Sequence, residues 1–174
     1  KQIMEDIAKT ITDVRFAGRI KKDTSLVDKI QRYLIKNKDP KNIADIVAGR
    51  LMAKNIEGVN DSIQALQKSR KLSIIDVEDY FTQPTEFGFR GINLQAILPK
   101  GGLVEIQLTT PRSLKIVDAI HKPFYEKWRN INTETLRGKA RQTYISDVKK
   151  SKEIADKIWG EIQAVKGVTE VKPM

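Results

Sequence analysis

From Val104 to Thr109 the chain alternates, with Glu105 and Gln107 set between Val104, Ile106 and Leu108. Alternation at period two belongs to a strand with one polar and one buried face. Two polar groups pointing the same way from a sheet interior make a poor solvated surface but a good ligand-facing one. Pro99-Lys100-Gly101-Gly102 precedes this strand as a hairpin signal and joins Leu103–Thr109 to a strand expected over Phe89–Leu98. Further upstream, Ile43 to Ala53 is nearly continuously apolar, the pattern of a strand buried on both faces. A chain with these segments must build a sheet.

The rest of the pattern supplies that sheet with partners. Ile3, Ile7, Ile11 and Val14 predict an amphipathic helix over residues 2–14, and Arg15 to Lys21 reads as a short strand. Asp23-Thr24-Ser25 offers turn and N-cap residues for a helix carrying Leu26, Val27, Ile30, Tyr33 and Leu34. After a break at Asp39-Pro40 and the apolar run comes a helix over Ile56–Leu66, then a strand over Ser73–Phe81. Pro111 opens a helix running to Trp128, and an amphipathic segment extends from about Thr133 to Val165. The expected architecture is α+β: one mixed five-stranded sheet flanked by helices. Residues 1–130 form the main unit, with 131–174 as a helical C-terminal extension packed on it.

Composition narrows the chemistry. The 174 residues contain no Cys and a single His, His121. Disulfides and thiolate metal sites are thereby excluded, and His-rich sites and Ser/His/Asp triads disfavoured. A metal here would be held by carboxylates, which suits Mg²⁺ or a similar hard cation. The net charge of +10 points to an anionic partner such as nucleotide phosphates, RNA or an acidic protein. No apolar run reaches the roughly 18 residues of a membrane span. The opening residue Lys1, in place of Met, reads as an excised domain.

Three groups of residues could carry chemistry. Arg19 and Lys21 share a face of their strand, Ser25 opens the next helix and Lys29 lies one turn in. Cations converging where a strand meets a helix N-terminus suit a polyphosphate, although a solvated basic edge gives the same pattern. Asp45 is an acid beside a very apolar strand, costly unless it is paired, for example with Arg50, or bound to metal. Strand parity places Asp45 and Arg50 on opposite faces unless Gly49 introduces a bulge. The third group is Gly88-Phe89-Arg90-Gly91-Ile92-Asn93 together with Glu105 and Gln107. His121, Trp128, Tyr144 and Trp159 fall at helical spacings and read as packing or edge residues.

Taken in order, these segments resemble the RelA/SpoT family of alarmone synthetases over about residues 15 to 129. Arg19-Ile20-Lys21 with Ser25 and Lys29 is similar to its Arg-x-Lys…Ser-x-x-x-Lys, and Asp45 to Arg50 to its Asp-[Ile/Leu]-x-[Gly/Ala]-x-Arg. Gly88 to Asn93 resembles Gly-Tyr-x-Ser-x-His, and Glu105 to Thr110 resembles Glu-[Ile/Val]-Gln-[Ile/Leu]-Arg-Thr. The resemblance implies a nucleotidyltransferase-like fold and transfer of the β,γ-diphosphate of ATP to a ribose 3′-hydroxyl. It assigns Arg19, Lys21, Ser25, Lys29 and Arg50 to ATP, and Asp45 and Glu105 to Mg²⁺ and catalysis. Phe89, Arg90, Asn93 and Gln107 fall to the acceptor nucleotide. Phe89 keeps the ring of the family Tyr. Gly91, Asn93, Thr85 and Thr109 replace the family's Ser, His, Lys and Arg, so the departures cluster on the acceptor side.

The expected partners are therefore ATP and a purine nucleotide, for synthesis of (p)ppGpp- or (p)ppApp-type products at a cytoplasmic site of action. A tRNA 3′ end is the alternative acceptor. A catalytically silent nucleotide- or RNA-binding module is the reading from a different class. Synthesis without a hydrolase domain would inhibit growth, which suggests a toxin or effector part of a larger chain, held by an antitoxin or immunity protein.

Overall fold

The computed structural model describes residues 2–11, 13–20, 23–35, 37–39, 43 and 47–160. Helix α1 (Gln2–Lys9) leads into strand β1 (Val14–Ile20), then helix α2 (Asp23–Ile35). Strand β2 (Val47–Ala53), helix α3 (Ile56–Lys68) and strands β3 (Ser73–Asp79), β4 (Ile92–Ile97) and β5 (Leu103–Thr109) follow. Helix α4 (Pro111–Ile120), a π turn (His121–Tyr125), the short α5 (Glu126–Trp128) and the long α6 (Gly138–Gly160) end the described chain.

The five strands form one mixed sheet, as the pattern predicted, and their order is β1-β2-β5-β4-β3. Strand β2 runs parallel to β5 and every other pair is antiparallel. The alternating strand β5 is thus the central one. Its apolar side, Val104, Ile106 and Leu108, joins Leu51, Ile74, Ile92 and Leu94 in the core, under Val59, Ile63 and Leu66 of α3. Burying such side chains stabilises by roughly 1.5–3 kcal/mol each, so this layer fixes which face of the sheet remains accessible.

Element ends shift for local reasons. The first helix stops at Lys9, and Asp13, at a positive φ of 59°, then turns the chain into β1. Strand β3 ends at Asp79, whose carboxylate accepts the N–H groups of Phe81 (2.8 Å) and Thr82 (3.2 Å) and closes a turn. Strand β4 starts at Ile92, later than expected. The apolar run from Ile43 is a strand from Val47 onward, with regular pairing through Gly49. On the inner face, Gly18 and Gly49 pair across β1 and β2 and seat the Phe16 ring. A Cβ at Gly18 would lie 2.7 Å from Phe16 Cζ.

Thr110 caps α4 in a reciprocal capping box with Ser113, and Pro111 stands in its first turn. The π turn follows from Pro123, which has no N–H to give the helix ladder. Helix α6 packs chiefly on α4, with Ala155 buried beside Ile116 and Ile120. No helix among the described residues is long and apolar enough to cross a membrane.

Candidate active site

Register places the polar residues in rows across the outer face. One row runs Arg19, Ala48, Glu105, Gln95 and Asp76 from β1 to β3. The next runs Ala17, Arg50, Gln107, Asn93 and Glu78. Neighbouring strands lie about 4.8 Å apart, so the three central members of each row fall within one ligand's length. Glu105 and Gln107 are half-buried, flanked by buried residues on either side in sequence.

The second row is hydrogen-bonded from strand to strand. Arg50 Nε donates to Gln107 Oε1 (2.9 Å), and Gln107 Nε2 donates to Asn93 Oδ1 (3.2 Å). The direction is fixed by chemistry. A guanidinium can only donate, so Gln107 must turn its oxygen to Arg50 and its NH₂ to Asn93. Asn93 then accepts through its oxygen.

Tyr80 follows directly on β3 and lies among the carboxylates of these two rows. Burial pushes its phenol well above the usual tyrosine range, and a hydrogen bond to Glu78 adds to this. The charges of Glu78, Glu105 and Asp76 push the same way. Tyr80 is thus a protonated O–H donor among three carboxylates. Its ring meets Phe89 edge-on, with centroids 6.0 Å apart. Phe89 is half-buried and covers Gly91, where a Cβ would lie 2.6 Å from Phe89 Cζ. Thr85 closes the loop beneath: its hydroxyl accepts the Phe89 N–H (3.0 Å), and its own N–H reaches Phe89 O (3.1 Å).

The structure thus brings Arg50, Gln107, Asn93 and Glu105 together, with Phe89 beside them. Arg90, expected beside the acceptor, instead gives its guanidinium to Phe81 O (3.2 Å) and Asp156 Oδ1 (3.0 Å) and lies over the Trp159 ring. Arg19 shares the Glu105 row by backbone register. Ser25 and Lys29 occupy the first two turns of α2, directly after β1, and Lys29 Nζ sits 5.6 Å from the Tyr33 centroid. Lys21 and Asp45 lie outside the described residues. Among the described residues no three carboxylate or imidazole groups gather as a metal site.

Sequence reading missed Asp76, Glu78, Tyr80 and Gln95. On β3 the signal is the alternation Asp76-Val77-Glu78, hidden by the adjacent apolar pair Ile74-Ile75. The pairing shifts there: Ile74 faces Ala96 and Asp76 faces Gln95, which leaves Ile75 as a bulged extra residue.

The region found in RelA/SpoT proteins matches residues 18–130. The GTP pyrophosphokinase YjbM of Bacillus subtilis is 27% identical over 100 residues, which cover 53% of this chain and 47% of that protein. The match therefore spans about half the length of that relative. Among solved structures, small alarmone synthetase 1 of Bacillus subtilis bound to its product pppGpp superposes with a TM-score of 0.61. That pair is 20% identical, with 94% of each chain covered. Small alarmone synthetase 2 of the same organism gives 0.65 at 22% identity, covering 92% of this chain and 86% of that one. The Type VI effector Tas1, solved with its immunity protein, gives 0.65 at 19%, covering 91% and 88%. At such identities the structural matches speak for the fold alone. The sequence match extends over more than half of the chain and takes in all five strands but the first residues of β1, and on that ground the chain belongs to the RelA/SpoT family.

Proposed function

We propose that this chain is an ATP-dependent pyrophosphokinase that transfers the β,γ-diphosphate of ATP to the 3′-hydroxyl of a purine nucleotide. The observation that carries this is the central strand: Glu105 half-buried on the outer face, one register step from the bonded row Arg50, Gln107 and Asn93. Family membership gives that arrangement its chemistry.

In this reading the 3′-oxygen attacks the β-phosphorus, and the bond from that phosphorus to the α,β-bridging oxygen breaks. AMP leaves with the bridging oxygen, and the hydroxyl proton passes to Glu105. Arg19, Lys21, Ser25, Lys29 and Arg50 hold the triphosphate. Asp45 and Glu105 would supply an all-carboxylate donor set, whose chemistry fits Mg²⁺. When bound there, the ion would neutralise charge building up on the phosphate oxygens. Phe89 stacks the acceptor base, Tyr80 supports its edge, and Gln107 and Asn93 hydrogen-bond the nucleotide.

The substrates set a cytoplasmic site of action. A growth-inhibitory role with an immunity partner rests on the fold shared with Tas1 and belongs to the proposal. A second acceptor class, the 3′ end of tRNA, is favoured by the net charge of +10. Incubation with labelled ATP and Mg²⁺, with each purine nucleotide in turn and then with bulk tRNA, followed by chromatography, tests both. Labelled AMP with a labelled diphosphorylated nucleotide supports the first reading and label on tRNA the second. ATP binding without transfer to either would leave a silent binding module.

A further inference from the structure

The family match ends at residue 130, yet the loop that carries Phe89 is fastened to α6, which begins at Gly138. Five contacts make the attachment. Ser151, fully buried, donates its hydroxyl to Phe87 O (2.7 Å). Gly88 takes φ +90° and lies so close to the helix that a Cβ would stand 2.6 Å from Ala155 Cβ. Arg90 reaches Asp156 (3.0 Å), and its guanidinium lies 5.2 Å from the centroid of the Trp159 ring. Phe87 packs edge-on against Tyr144, with centroids 6.2 Å apart.

The attachments fall on Phe87, Gly88 and Arg90, on both sides of Phe89 in sequence. Phe89 itself lies against Tyr80 and over Gly91, toward the row of Asn93 and Gln107. Strand pairing begins only at Ile92, so the sheet ladder alone does not hold the segment before it. A ring that must stack on a base needs its backbone fixed on both sides, because freedom there is entropy lost on binding. Helix α6 supplies that fixation. Its own end is tied in turn to α4, where Arg112 donates to Trp159 O (3.2 Å).

We propose that α6 is a working part of the acceptor site, with Ser151, Asp156 and Arg90 as positioning residues that hold Phe89 ready to stack. Arg90 acts by fastening the loop, not by touching the acceptor. The inference rests on the pyrophosphokinase reading for its functional half and on geometry alone for its structural half.

The full chain carrying Ser151→Ala and Asp156→Ala tests it, with Asp156→Asn as the conservative control because an amide oxygen still accepts from Arg90. Two readouts are needed: amide hydrogen exchange over residues 86–91, and KM for acceptor and for ATP measured separately. The double variant should exchange roughly tenfold faster in that segment, the scale of one or two lost hydrogen bonds. Its acceptor KM should rise several-fold with the ATP KM unchanged, and Asp156→Asn should stay near wild type in both. Unchanged exchange would overturn the clamp. Faster exchange with an unchanged acceptor KM, or a parallel rise in both KM values, would overturn its role in acceptor binding. If the wild-type chain transfers nothing to any acceptor, the pyrophosphokinase reading fails and the functional half with it, while the exchange measurement still decides the clamp.

Discussion

Arg50 on β2 and Gln107 on β5 meet across the sheet's one parallel pair, Nε to Oε1 at 2.9 Å. The bond sets the orientation of Gln107, and Gln107 sets that of Asn93. Gln107→Glu would keep a partner for Arg50, since a carboxylate also accepts. It would turn a second acceptor toward Asn93, however, and force that amide to rotate. Acceptor affinity should fall about tenfold, near the 1.5–3 kcal/mol of hydrogen bonds to charged groups, and ATP affinity should fall less, through the new ion pair with Arg50. Equilibrium titration of both ligands against the variant measures the split.

Glu105→Gln removes a charge and a proton acceptor while preserving shape. The fold should be intact and the transfer rate should drop roughly a thousandfold or more, several kcal/mol of barrier. Single-turnover kinetics with labelled ATP, beside a thermal melt, would show it. Near-normal transfer removes Glu105 from the mechanism.

Phe89→Ala should weaken use of any acceptor by about 1–3 kcal/mol, because every base offers a π-face, whereas Phe89→Tyr should be close to neutral. Stacking does not discriminate bases. With Gly91 and Asn93 in place of the family's Ser and His, competition between GDP and ADP for labelled diphosphate should show a weaker guanine preference than in family members that keep those residues.

Tyr144 makes stability depend on alkaline pH. Burial, then a hydrogen bond to Glu86, pushes its phenol up to about 12 from an ordinary 10.0, outweighing the opposing pull of Thr133 and Arg141. The folded state therefore keeps a proton that the unfolded chain releases. The contribution is complete below about pH 10 and is lost as pH climbs toward about 12. Urea midpoints should fall across that window, and Tyr144→Phe should flatten part of the fall. Tyr80, whose phenol is raised as well, contributes to the remainder.

The sheet was legible because its central strand alternates without interruption and the hairpin before it has Gly101 and Gly102, both at positive φ in the structure. Glu105 and Gln107 followed from parity alone. Arg90 was not legible, since its partners Asp156 and Trp159 lie 66 and 69 positions away and no local pattern encodes such a pairing. The edge strand β3 misled for the opposite reason. Its alternation is real but changes phase after Ile74, and a pattern read at fixed period averages over such a change.

That phase change sets what the outer face can be. Ile75 is the only residue by which β3 and β4 differ in count between Ile74 and Asp79. Were Ile75 paired opposite Gln95 and not bulged, Asp76 and Glu78 would fall opposite Leu94 and Ile92, sending two carboxylates into the apolar layer and the Val77 isopropyl group out beside Asn93. One bulged aliphatic residue, itself 43% exposed, thus acts as the comma that decides how the rest of the strand is read.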